Sequence, residues 1–292
     1  MIDPGLQGKI ALITGANHGI GAAAARALAR QGVAVLINYL RMPPLGIAKE
    51  ELQRIEETPG IVYYSQRRDN NADSVVASIR AEGGQAEAIE GNLADPATIT
   101  RLFERAEALF GPVEILVNNA DHCEQDTFLP HDAEGGLAPD GFPTSTITAH
   151  HHDLHFAVNS RAVVLMMAEF ARRHIARGAH WGRIINISTD GAQVFPGEIS
   201  YGASKAALEA YSRSAAKELG PRGITVNIIS PGATQTGWIT PELERNVTAD
   251  TPLRRVGQPE DIADVLVFLA SEQARWLTGQ TLSASGGSRM PF

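Results

Sequence analysis

Ile10-Ala11-Leu12-Ile13-Thr14-Gly15-Ala16-Asn17-His18-Gly19-Ile20-Gly21 is the stretch that decides how the rest of the chain is read. An aliphatic run over Ile10–Thr14 fits a buried strand. It passes at once into a turn with three glycines, Gly15, Gly19 and Gly21, and then into an Ala- and Arg-rich helix over Gly21–Gln31. In such a strand–turn–helix, the first glycine permits the tight turn. The second lets backbone approach a pyrophosphate, and the third lets helix and strand pack closely. The helix N-terminus then offers N–H donors and a positive dipole end to phosphates. The alternative is an ordinary glycine-rich βα turn; the position after the first strand and before the first helix favours nucleotide binding. No Lys follows the last glycine, which argues against a phosphate-transferring loop.

Outward from this turn, short aliphatic runs alternate with amphipathic segments. Strands are predicted over Val33–Tyr39, Ala86–Glu90, Val113–Asn118, Arg183–Ser188, Ile224–Ser230 and Gln280–Ala284. Helices are predicted over Ala72–Ala81, Pro96–Leu109, Asp153–Ala176, Ser200–Leu219 and Pro259–Ser271. Continuous apolar strands alternating with helices imply an α/β fold: a doubly wound parallel sheet of the Rossmann type, covered on both faces. No linker divides the chain, so residues 1–292 read as a single dinucleotide-binding domain. Insertions lie at about 41–68 and 131–146, and the first holds a charged piece, Lys49–Glu57, compatible with a short helix.

Composition narrows the function classes. The chain has 292 residues, 43% of them hydrophobic, too many for a disordered chain. Its net charge of -8 argues against a nucleic-acid surface. The one cysteine, Cys123, excludes an intramolecular disulfide and fits a reducing compartment. No signal peptide and no apolar run long enough to span a bilayer is found, so a soluble, cytoplasmic protein is expected. His150, His151, His152 and His155 include an i, i+4 pair, but no carboxylate-rich partner motif accompanies them, and no metal is expected.

Thr14 to Gly21 match the TGxxxGxG motif, and further matches follow in order: Asn118-Asn119-Ala120, Asn159, Ser188, Tyr201 with Lys205 (YxxxK), and Pro231-Gly232. On these residues the chain resembles the short-chain dehydrogenase/reductase family over nearly its whole length. It looks closest to the 3-oxoacyl-carrier-protein reductase-like members. The resemblance implies an oxidoreductase that moves a hydride between nicotinamide and a carbonyl or secondary alcohol. Tyr201 would exchange the proton, Lys205 would lower the tyrosine's pKa and hold the ribose, and Ser188 would bond the substrate oxygen. Asn159 would bond a helix backbone and help seat a relay water. Tyr201 and Lys205 lie one helical turn apart on one face, and a nearby ammonium favours phenolate over the ordinary pKa of about 10.

The same resemblance implies cofactor contacts from Gly15, Asn17, His18, Gly19, Ile20 and Gly21. Others are expected from Tyr39, Arg41, Asn92, Leu93, Asn119, Ala120, Tyr201, Lys205, Pro231, Gly232, Thr234 and Thr236. No acid ends the second strand, Arg41 follows it, and Arg67 and Arg68 lie beyond the insertion. This favours NADP(H) over NAD(H). Three departures stand out: Asp121 replaces the family's glycine after Ala120, Asn92 replaces an Asp, and the last motif, Ser283 to Gly287, lacks the usual Val-Asp. The expected partners are a small carbonyl or alcohol substrate and further copies of the chain, as homodimer or homotetramer. Two alternatives remain: a catalytically silent nucleotide-sensing or scaffold protein on this fold, and a sugar-nucleotide epimerase or dehydratase. The intact Ser188, Tyr201 and Lys205 argue against the first. The short chain after Gly232 argues against the second.

Overall fold

The structure is a computed structural model and describes residues 3–42, 57–130, 136–138 and 141–289. The helix considered over Lys49–Glu57 lies, apart from Glu57, outside the described residues, as does part of the second insertion.

Seven parallel strands form the main sheet in the order β3-β2-β1-β4-β7-β8-β9. They are β1 (Ile10–Ile13), β2 (Ala34–Tyr39), β3 (Ala86–Glu90), β4 (Ile115–Asn118), β7 (Gly182–Ile187), β8 (Ile224–Pro231) and β9 (Thr281–Ala284). A small parallel pair, β5 (Asp126–Thr127) and β6 (Ser145–Thr146), stands apart from it. β1, β4 and β7 are buried along their whole length, as their unbroken aliphatic runs require.

Alternate side chains leave opposite faces of each strand. Ala11, Ile13, Val35 and Ile37 pack with Leu28 of α1 (Gly19–Arg30), Ile79 of α3 (Asp73–Ala81) and Leu266 of α9 (Pro259–Ala270). Leu12, Leu36 and Leu116 face the other way. They meet Phe103 of α4 (Ala97–Leu109), Phe170 of α6 (Val163–Ala176) and Leu208 of α7 (Ile199–Leu219). The strand order reverses between β1 and β4, and in open α/β sheets ligands bind at that switch point, beyond the strands' carboxyl ends.

Two helices were not anticipated, α2 (Ile61–Asp69) inside the first insertion and α8 (Pro241–Asp250) after β8. The long helix expected from Asp153 begins earlier, as α5 (Ala149–Phe156), and passes into α6 through a π-helical turn, Ala157–Ala162. Thr148 caps α5 by accepting from the His151 N–H.

Candidate functional site

The glycine turn closes as its sequence requires. Gly15 takes a φ of +64°, and a Cβ there would come within 2.6 Å of Ala120 Cα. A Cβ on Gly21 would meet the Gly15 carbonyl at 2.4 Å. Asn119 at the end of β4 holds the turn, its Nδ2 donating to the carbonyls of Thr14 (3.0 Å) and Gly15 (2.8 Å). Thr14 Oγ1 accepts from the amides of Asn119 and Ala120, each at 3.0 Å. His18 enters α1 without a side-chain cap, and the first turn carries no acid. The positive end of α1 is therefore not compensated by its own sequence. Burial, then Arg67 and Arg68, push the His18 imidazole down to about 4, so it is neutral at pH 7.

On α7, Tyr201 and Lys205 share a face. Lys205 is fully buried, its Nζ donates to the Ile187 carbonyl at 2.9 Å, and it lies 5.6 Å from the Tyr201 ring centre. Burial lowers the pKa of this ammonium. The Tyr201 hydroxyl donates to Asp121 Oδ2 at 3.4 Å. The tyrosine is not activated as a base here. Burial, followed by the negative charge of Asp121 and then Cys123, Glu198 and Tyr64, holds its pKa well above the usual value. The lowering expected from Lys205 is not seen: burial is the first cause of the rise, and the carboxylate in the family's glycine position adds to it.

Ser188 also differs from expectation. It is buried at the end of β7, and its Oγ donates to Glu209 Oε1 at 2.8 Å. Glu209 lies two turns beyond Tyr201 on α7. A hydroxyl has one proton, and here it is spent on this carboxylate. Asn159, fully buried in the π-helical turn, bonds loop backbone rather than helix backbone. Its Oδ1 accepts from His122 N, and its Nδ2 donates to His122 O and Ser204 Oγ, all within 2.8–2.9 Å. Cys123 Sγ donates to Glu198 Oε2 at 3.3 Å. His155 accepts from Glu124 N at Nε2 and, as the Nδ1–H tautomer, donates to His151 O, so both ring nitrogens are engaged.

The remaining cofactor candidates fall into two groups. Thr236 faces Gly19, with its Cγ2 3.0 Å from where a Cβ would stand, and Thr234 Oγ1 donates to Gly232 O. Pro231 and Gly232 close the end of β8 beside Ser285. Of these, Thr236 packs on Gly19 of the turn, as Ala120 does on Gly15. On the adenine side the fit is looser. Arg41 forms a two-toothed ion pair with Glu90, Asn92 is exposed with its Oδ1 accepting from Ala94 N, and Leu93 buries its side chain in the core. Tyr39 is half-buried at the end of β2.

The sequence reading missed α2. Its Gly60 amide donates to Gly237 O at 2.9 Å, and Asn17 Nδ2 reaches Asn70 O at 2.8 Å just past its end. Tyr64 of α2 sits edge-on to His18 at 5.7 Å, close enough to Asp121 and Tyr201 for their charges to perturb one another. From the second insertion, Phe142 meets Trp238 at 6.4 Å. Among the described residues no helix is long and apolar enough to cross a membrane.

Comparison with known proteins gives the family. A family profile described as enoyl-(acyl carrier protein) reductase matches residues 44–289. An oxidoreductase of Methylorubrum extorquens is 37% identical, over 97% of this chain and 99% of its own. A 3-oxoacyl-[acyl-carrier-protein] reductase of Synechocystis is 31% identical, over 98% of both chains. Among solved structures, an angucycline C-6 ketoreductase with bound NADP superposes with a TM-score of 0.75 at 31% identity, over 97% of this chain and 96% of that one.

Proposed function

Because the chain belongs to the short-chain dehydrogenase/reductase family, a family of oxidoreductases that bind a nicotinamide cofactor, we propose that it reduces a carbonyl to a secondary alcohol. Tyr201 is the proton donor and NADP(H) the preferred cofactor in this reading. The observation that carries it is the state of Tyr201. A phenol held protonated beside Asp121, one turn from the buried ammonium of Lys205, has a proton to give. Reduction needs that proton on the substrate oxygen. Oxidation would need it removed first, and Asp121 opposes that.

The fit of the dinucleotide rests on the turn. Gly15 and Gly21 let the turn pack directly against Ala120 and Asn119, where any Cβ would collide, and α1 presents uncompensated N–H donors where a pyrophosphate belongs. Gly15, Asn17, Gly19, Ile20, Gly21, Asn119, Ala120, Thr234 and Thr236 would hold it, with Asn119 acting by bracing the turn. Bound, the nicotinamide supplies or accepts the hydride at the substrate carbon. Lys205, anchored on Ile187 O, keeps a positive charge beneath the Tyr201 ring, which steadies the phenolate left after proton transfer. Ser188 holds the end of β7 to α7 through Glu209, and Asn159 fixes the loop that carries Asp121 and His122. NADP(H) is favoured because β2 ends without an acid and the nearest one, Glu90, is neutralised by Arg41. The relative solved with bound NADP lends support.

The test is a panel of ketones, aldehydes and secondary alcohols with both cofactors, followed at the absorbance of the reduced nicotinamide. Ketone-dependent NADPH consumption that Tyr201→Phe abolishes is expected. Turnover unchanged by that substitution would defeat the mechanism, and tighter binding of NADH than NADPH in a fluorescence titration would defeat the cofactor assignment.

A further inference from the structure

The insertion helix α2 does not lie where the sequence suggested its arginines act. It bridges the two lips of the cofactor groove. At its start Gly60 N bonds Gly237 O in the loop after β8, and the Tyr63 ring lies where a Cβ on Gly237 would be 3.0 Å from it. Just past its end, Asn70 O accepts from Asn17 Nδ2 in the glycine turn. Between these anchors stands Arg67. Its Nη1 donates to Tyr63 Oη at 2.8 Å, the guanidinium packs over the Tyr63 ring at 5.4 Å, and its Cδ lies beside Gly237. Its Nε is buried with no hydrogen-bond partner among the described residues.

A buried guanidinium N–H without an acceptor is costly. Its surroundings raise the cost, because the positive charge is added to an already positive place. The first turn of α1 has no acidic residue, Arg67 and Arg68 both bear on His18, and Arg67 also bears on Arg26; the carboxylate of Asp121 opposes them at His18 only as the smaller influence. His18 is kept neutral at the same spot, for which burial is the first cause and Arg67 and Arg68 the next. Such an arrangement is complete only when an anion enters it.

Building on the cofactor reading above, we infer that Arg67 is a pyrophosphate clamp: α2 carries its guanidinium across the groove so that it meets the dinucleotide's bridging phosphates opposite the N-terminus of α1. The tyrosine beneath it fixes its plane, which conserves side-chain freedom that would otherwise be lost on binding. Arg67 thereby reads the part shared by both nicotinamide dinucleotides and contributes nothing to the choice between them. It is a residue the sequence had offered for the 2′-phosphate.

The experiment uses the full chain with Arg67→Gln and Arg67→Lys, and two readouts. The first is the melting temperature without nucleotide. The second is the dissociation constant for NADPH, NADH, ADP-ribose and adenosine 2′,5′-bisphosphate, which lacks the bridging pyrophosphate. Loss of a charge-assisted contact corresponds to roughly 10- to 100-fold. Arg67→Gln is expected to weaken NADPH, NADH and ADP-ribose by the same factor in that range and to leave the bisphosphate within about two-fold. Its melting temperature is expected at or above that of the parent protein, since a half-buried charge with one unmet buried N–H has been removed. Arg67→Lys is expected to recover part of the affinity. Losses confined to NADPH and the bisphosphate would make Arg67 a 2′-phosphate reader and overturn the inference. So would unchanged affinities, or a fall in melting temperature that accompanies the loss, which would mark a structural brace. If the parent protein binds none of the dinucleotides, the cofactor reading fails first and the clamp with it.

Discussion

Asp121→Asn changes one atom type next to the phenol that we assign as proton donor, and its effect can be worked from the geometry. Tyr201 Oη lies 3.4 Å from Asp121 Oδ2. When the phenol ionises, two negative charges face each other at about that separation. Coulomb's law puts their repulsion at about 1 kcal/mol in bulk water and about 5 kcal/mol at an effective dielectric constant of ~20. Asp121 is exposed, so the water-like end weighs more. Since about 1.4 kcal/mol corresponds to one pH unit, we expect the substitution to lower the Tyr201 pKa by about one to two units. Asparagine keeps an acceptor for the phenol but removes the charge. The assay is the pH dependence of kcat/KM for oxidation of a secondary alcohol, where Tyr201 must be a phenolate. In the parent protein the rise in rate falls at high pH, because the pKa is raised. In Asp121→Asn it moves to lower pH by one to two units, so oxidation at neutral pH speeds up. Reduction at pH 7 stays within about two-fold, since the phenol is already protonated there. Profiles of the two proteins that coincide within about 0.3 unit would show that burial alone sets Tyr201 and would refute the reasoning.

The structure implies further outcomes. Tyr201→Phe is expected to lower ketone reduction by about 10²- to 10⁴-fold with cofactor affinity unchanged, whereas Ser188→Ala costs under about ten-fold, because its proton is given to Glu209; steady-state kinetics separate the two. Asn186 donates to Ser212 Oγ and accepts from Asn118 Nδ2, each at 2.7 Å and buried. Asn186→Leu leaves the buried Asn118 amide without its acceptor and takes a donor from Ser212, which still bonds Leu208 O, and should lower the unfolding free energy by about 1–3 kcal/mol in urea titrations. His18 titrates at about 4 in the fold against 6.5 ordinarily, so between those values the unfolded chain binds the extra proton. Stability should therefore fall as pH drops from about 6.5 to about 4, by at most about 3 kcal/mol from this group, and His18→Asn should flatten that part of the profile.

What the sequence revealed and what it hid follow from where the stabilising contacts lie. β1, β4 and β7 are buried on both faces, so their local aliphatic runs already contain the fact of burial. The glycine turn was legible because the conformations of Gly15 and Gly19 and the close packing at Gly21 are properties of single residues. The Tyr201–Lys205 pair was legible because helical spacing alone places it on one face. α2 was not. Its nine residues, Ile61–Asp69, contain no fully buried residue and no apolar stripe, and its position comes from Gly237 and Asn17, both distant in sequence. The Ser188–Glu209 bond was missed although its signal was present: Tyr201, Lys205 and Glu209 recur every four residues on α7, so a carboxylate was bound to lie below the catalytic pair. The Asp121–Tyr201 contact joins residues 80 apart, and only the sheet order, which sets the end of β4 beside β7, brings them together.

The two insertions can be considered together through the loop that follows β8. The first reaches it at Gly237, through the Gly60 amide and the Tyr63 ring; the second reaches it one residue on, at Trp238, through Phe142. The same loop carries Thr234 and Thr236 on the cofactor side. The two insertions therefore meet the loop at adjacent residues, Gly237 and Trp238. Gly237 has a φ of +115° and no room for a side chain against Tyr63, so its conformation and its packing on α2 are one constraint. In the proposed reading a dinucleotide entering the glycine turn would meet the α2 contacts first, while Lys205 stays anchored on Ile187 O. Both insertions thus pack on one loop, and the first also bears on the proton-transfer pair proposed on α7, because Tyr64 of α2 adds to the rise that burial gives the Tyr201 pKa.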